Sequence, residues 1–145
     1  MDNIIGYRES STSQNEPENN WRRYFSFSTD HKVIGVQYMV MSFIFFLVGG
    51  LLAMVIRAKL ITPQSNVVDR PLYNGLFTLH GTIMIFLWII PFNAGISNYL
   101  VPLMIGVRDI AFPLLNAISF WMIPPRGILL LSSFLLPNGT AQSGW

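Results

Sequence analysis

Past residue 32, long uncharged apolar blocks alternate with short charged stretches. Val33 to Ile56 carries no charge; Arg57, Lys59, Asp69 and Arg70 then interrupt. Pro71 to Val107 is uncharged again, and Arg108-Asp109 separates it from a third block that starts at Ile110 and is broken only by Arg126. The first two blocks are 24 and 37 residues long. A bilayer core about 30 Å thick takes roughly 20 helical residues, and in lipid a helix satisfies its own backbone. The pattern therefore predicts an all-α membrane protein with three transmembrane helices: helix I over about 31–58, helix II over about 73–102 and helix III over about 113–136. The second block is too long for one straight span, and "PFNAGISNYLVP" (91–102) predicts a kink or a bent end inside it. Pro124-Pro125 falls in the body of helix III, where freed carbonyls need neighbouring donors.

Residues 1–20, with "SSTSQNEPENN", read as a disordered polar tail. No short apolar run with a cleavage site opens the chain, so this is not a signal peptide. The following "NWRRYFSFSTDHKVIG" mixes aromatic and basic residues as a water–membrane boundary does. Ser28 and Thr29 are candidate N-caps for helix I. Residues 21–145 then form one helical domain.

Composition sharpens this picture. Apolar residues make up 52% of the chain and charged residues 11%, where a soluble domain carries about 25% charged. Nine of the sixteen charges lie in residues 1–32. The net charge of +2 is too small to suggest a nucleic-acid partner. With no cysteine, disulfides, thiolate metal sites and cysteine nucleophiles are excluded. If the N-terminus is cytoplasmic, Arg22, Arg23, Lys32 and Arg108 lie inside and Arg57, Lys59 and Arg70 outside, a weak orientation signal.

Candidate chemistry is sparse. "LFTLHGTIMIFLWIIP" (76–91) holds one ionisable group, His80, about 12 Å into helix II from its outer end at 1.5 Å per residue. A polar group at that depth faces a partner or a cavity. Two readings stand side by side: a histidine hydrogen-bonded to another helix, or a metal or haem ligand. Gly81 leaves room beside the imidazole, and Phe77, Met84 and Trp88 offer an apolar wall on or near the same face. Arg57 is either a snorkelling interfacial cation or a donor aimed at a cofactor's polar edge. Asp109 is either paired with Arg108 in a loop or, with Asn98 and Asn116 leading inward, a collector of protons. Asn138-Gly139-Thr140 fits a glycosylation sequon by chance.

The stretches "STDHKVIG", "VIRAKL", "YNGLFTLHGTIMIF", "NYLVPLMIGVRDIAFPLLN" and "SFWMIPP" resemble the N-terminal part of haem–copper oxidase subunit I, of the aa3 cytochrome c oxidase type. The resemblance covers about residues 21–145 and is most specific from Asn98 to Pro125. The wording around His80 is bacterial, and cyanobacterial in flavour. The resemblance implies that these are the first three of about twelve helices. It makes His80 an axial ligand of the low-spin haem (haem a), Arg57 the donor to that haem's formyl group, and Tyr73 and Asn74 residues on the haem side of helix II. It makes Asp109 the entrance of a proton pathway that continues past Asn98 and Asn116. Two positions depart from the family pattern. Lys59 stands where a cation-binding glutamate is common, and Ala117 where a second pathway amide is common. The other haem ligands, and those of the high-spin haem and copper B, lie further along such chains.

The chain is therefore expected to be an N-terminal fragment, inactive alone, of a terminal oxidase subunit. The whole enzyme would reduce oxygen to water with electrons from cytochrome c, coupled to proton translocation. It would work beside subunits II and III in a bacterial plasma membrane or a thylakoid membrane. Two alternatives remain open: a quinol-oxidising homologue, and a non-catalytic three-helix assembly or anchor protein.

Overall fold

The computed structural model describes residues 24–61, 68–108 and 110–136. Among these every regular element is helical. Helix α1 runs His31–Ile61. Helix α2 runs Arg70–Thr82, passes into a wide π-helical turn over Ile83–Ile89, and continues as α3, Ile90–Ile105. Helix α4, Pro113–Trp121, and helix α5, Ile123–Ser132, are followed by a single 3-10 turn, Ser133–Leu135. The spans His31–Ile61, Arg70–Ile105 and Pro113–Leu135 are each long and apolar enough to cross a membrane. The disordered-tail reading of residues 1–20 falls outside the described residues.

The ends follow from local chemistry. Asp30 begins α1: its carboxylate accepts the Lys32 N–H at 3.0 Å, as an N-cap side chain does. Ser28, one of the two candidate caps, instead accepts the N–H of Asp30 at 3.2 Å. The N-cap site is thus one or two residues later than the sequence suggested, because Asp30 is the group in reach of the first free donors. Helix α2 starts after Asp69 with Pro71 in its first turn, where a missing N–H costs nothing. Helix α3 runs through Pro102 and stops at Gly106, which takes φ 70°, a left-handed conformation suited to glycine. There Val107 N–H bonds Pro102 O at 3.1 Å and Gly106 N–H bonds Leu103 O at 3.4 Å, the Schellman closure. The third span breaks at Met122, and Pro124 and Pro125 follow in the first turn of α5. The irregularity of the second span lies before Pro91, over 83–89, rather than across 91–102, because the proline ring crowds the turn that precedes it.

Packing centres on close approach of the first two spans. A Cβ at Gly35 would lie 3.0 Å from Gly95 O, and one at Gly95 would lie 2.9 Å from Gly35 O, so the two backbones touch there. The core joins Ile34, Tyr38 and Phe45 of α1, Ile83 and Leu87 of the wide turn, and Ala117, Phe120 and Ile123 of the third span. Tyr38 and Phe120 meet edge to face, ring centres 5.3 Å apart. Gly127 packs directly against the Phe45 ring, which occupies the place of a side chain. Many large apolar residues point outward, among them Leu51, Met54, Met104 and Leu129. An apolar exterior around three such helices suits lipid and further helices rather than water.

Candidate functional site

His80 sits in the last turn of α2, just before the wide turn. Its Nδ1 is 2.8 Å from the carbonyl oxygen of Gly49 on α1. A carbonyl only accepts, so Nδ1 carries the proton and, in the neutral ring, Nε2 keeps its lone pair. Nε2 makes no hydrogen bond among the described residues. This is the arrangement in which a backbone acceptor fixes the tautomer and orients the second nitrogen for a metal. The helices come this near because position 49 is glycine: a Cβ there would lie 2.8 Å from Met84 Sδ and 3.4 Å from Ile83 Cγ2. Beside them, Cβ atoms at Gly50 and Gly81 would meet nothing within 4 Å. Open space thus adjoins, in sequence, both residues that make this hydrogen bond. A multi-ligand ion is not supported, since no cluster of three metal-ligating side chains occurs among the described residues. The apolar wall is only partly as expected. Met84 packs on Gly49, while Trp88 joins an aromatic cluster with Phe46 and Phe92, each 4.7 Å away between ring centres, and Phe77 is 64% exposed.

Arg57 is exposed near the end of α1 and makes no hydrogen bond or ion pair among the described residues. It lies eight residues beyond Gly49, about 12 Å along the helix axis. Tyr73 and Asn74 line a cavity of about 390 Å³ with Lys59, Leu60 and Arg70, where α1 ends and α2 begins.

At the opposite end, Asn98 Nδ2 donates to Asn116 Oδ1 at 3.0 Å, joining α3 to α4. Asn116 Nδ2 is buried with no hydrogen-bond partner among the described residues. A buried amide in that condition is a place for water. Asn98 also lines a cavity of about 590 Å³ with Ser97, Val101, Pro102, Ile105, Val107, Ile110 and Ala111. Asp109 lies outside the described residues, although residues shortly before and after it in the sequence border that cavity. The histidine and the amide pair are thus at different ends of the second span, and no contact joins them.

Sequence reasoning passed over Arg126. It was an interruption in an apolar block, yet its Nη2 donates to Phe86 O at 3.0 Å in the wide turn. A charge near the middle of a membrane-length helix was the available signal.

The comparisons with known proteins agree with this architecture. Residues 33–145 match the family model described as Cytochrome C and Quinol oxidase polypeptide I. Among curated proteins, cytochrome c oxidase subunit 1 of Synechocystis sp. is 56% identical over 131 residues, covering 90% of this chain and 23% of the relative. The protein of that name from Thermostichus vulcanus is 59% identical over 126 residues, 86% of this chain and 22% of the relative. That from Corynebacterium efficiens is 48% identical over 118 residues, 81% and 20%. The chain spans about a fifth of the length of these relatives. With three membrane-length helices, an all-helical described fold and a family match over most of its length, the chain belongs to the Cytochrome C and Quinol oxidase polypeptide I family.

Proposed function

We propose that this chain forms the first three helices of the catalytic subunit of a membrane-bound terminal oxidase, with His80 as one axial ligand of its low-spin haem. The observation that carries this reading is the bond from His80 Nδ1 to Gly49 O. In the neutral ring it leaves Nε2 with its lone pair on a side chain tied to the neighbouring helix, which is what a haem ligand would need. When bound, a low-spin haem relays single electrons. The open space at Gly50 and Gly81 would leave room for a flat macrocycle. The apolar side chains of the first two spans exclude water from it. Arg57 is the proposed donor to the haem's polar rim, and its positive charge favours the state with the added electron. Tyr73 sits at the start of the second span, beside the end of α1 that carries Arg57.

Asn98 and Asn116 have the second role. Their amides hold water between α3 and α4, and Asp109 is the proposed collector of the protons that reach them. In the full-length enzyme the high-spin haem and copper B would be held by residues beyond this stretch, where oxygen is reduced to water with coupled proton translocation. The relatives matched are cytochrome c oxidases, so cytochrome c is the proposed donor, with subunits II and III as partners. The membrane is a bacterial plasma or thylakoid membrane.

The test uses the full-length subunit in its purified complex. His80→Ala is expected to remove the low-spin haem band from reduced-minus-oxidised spectra while the high-spin band stays. An unchanged low-spin band rejects the ligand assignment.

A further inference from the structure

Arg126 is the only charged residue of the third span, thirteen residues after Pro113 and nine before Leu135. A guanidinium at such depth is expensive unless it has a specific partner. Its partner is a backbone oxygen: Nη2 donates to Phe86 O at 3.0 Å. Phe86 belongs to the wide turn, where donors reach back five residues, as Ile90 N–H does to Ile85 O. In that pattern the donor to Phe86 O would be the N–H of residue 91. Residue 91 is proline and has none. The guanidinium therefore stands where the missing backbone donor belongs. Its own helix is held in place one residue further on, where Gly127 lies against the Phe45 ring of α1.

The wide turn matters for register. Asn98 comes 18 residues after His80, about five full turns of a straight α-helix at 3.6 residues per turn, which would put both on one face. In the structure His80 bonds α1 and Asn98 bonds α4. A π-helical turn takes up an extra residue and rotates the helix beyond it by about 100°. We propose that Arg126 is a positioning residue. By replacing the absent N–H of Pro91 at Phe86 O, it holds the turn that sends His80 and Asn98 to different neighbours. This rests on the reading of His80 as a haem ligand and of Asn98 as part of a proton pathway.

The experiment compares Arg126→Met, Arg126→Lys, the double variant Arg126→Met with Pro91→Ala, and His80→Ala, all in the assembled full-length oxidase. Hydrogen–deuterium exchange over residues 86–92 reads the turn directly, and the reduced spectrum reads the haem. Arg126→Met is expected to speed exchange there about tenfold and to shift the low-spin band without loss of haem. Adding Pro91→Ala restores a backbone donor and is expected to bring exchange back to within about threefold of wild type. Arg126→Lys, which keeps a donor, falls between; if the methionine variant does not assemble, the lysine variant with and without Pro91→Ala carries the same comparison. Unchanged exchange in Arg126→Met, or no recovery on adding Pro91→Ala, overturns the proposal. A low-spin band that survives His80→Ala sinks the haem reading instead, and leaves the exchange result to judge Arg126 on its own.

Discussion

His80 Nδ1 and Gly49 O lie 2.8 Å apart, and this bond ties the second membrane-length span to the first at the only ionisable side chain of its N-terminal half beyond Arg70 and Tyr73. The bond settles two things together. It sets the tautomer of the neutral ring, because the acceptor is a carbonyl, and it restrains the ring against α1. A ligand with a locked tautomer and orientation binds metal without a further ordering cost. A contact with another helix and the proposed ligand role are compatible, since the first nitrogen serves the contact and the second is left for the proposed role.

Gly49→Ala tests that coupling. The new methyl meets Met84 Sδ, the flexible part of an adaptable side chain, so folding is expected to lose less than about 1.5 kcal/mol. The spans still move apart slightly and the bond to His80 lengthens. The low-spin band of the full-length oxidase should shift, and Met84→Ala in the same chain should reverse much of the shift. A spectrum identical to wild type in Gly49→Ala would show that the bond does not orient the ligand.

Gly35→Ala and Gly95→Ala should behave differently, although the substitution is chemically the same. The obstacles there are the opposing carbonyl oxygens at 3.0 and 2.9 Å, which cannot rotate aside. Each is expected to cost about 2–3 kcal/mol, at the upper end for overpacking. Thermal unfolding of the purified complex should rank both below Gly49→Ala. The double variant should lose less than the sum, because both methyls enter one crossing.

Phe120→Ala removes a buried ring that packs edge-on against Tyr38 and ties the third span to the first. The expected loss is about 3–5 kcal/mol, read as a lowered midpoint of thermal unfolding in detergent. A loss under about 1 kcal/mol would mean that the third span is held elsewhere.

The spans were legible in the sequence because charge marks their ends: Lys32, Arg57, Arg70 and Arg108 bracket the apolar blocks, and lipid tolerates little between them. His80 was legible for the converse reason, as a lone ionisable group at depth. Its acceptor was not. Gly49 contributes a backbone oxygen, which every residue has, and only the crossing of two helices singles it out. The pairing of Asn98 with Asn116 likewise needed the rotation introduced by residues 83–89. No residue type announces a π-helical turn, and Pro91 pointed to a disturbance without saying on which side it would fall. Arg126 was visible but not interpretable, because its partner is again a main-chain oxygen, 40 residues away.

The Asn98–Asn116 pair gives a prediction with an ordered outcome. Asn98→Ala strips Asn116 Oδ1 of its donor while the buried Asn116 Nδ2 already has none, so the amide is left with no protein partner among the described residues. Such a group costs about 1–3 kcal/mol. Asn116→Ala is milder, because the Asn98 amide left behind borders a cavity of about 590 Å³ that water can enter. Unfolding should therefore place Asn98→Ala below Asn116→Ala. Under the proposed role both variants break the same water-holding unit, so both should slow proton uptake in the full-length oxidase about tenfold or more while each haem band stays in place. Proton uptake at the wild-type rate in both would move the pathway away from this pair, and leave the order of stabilities as the mark of a purely structural hydrogen bond.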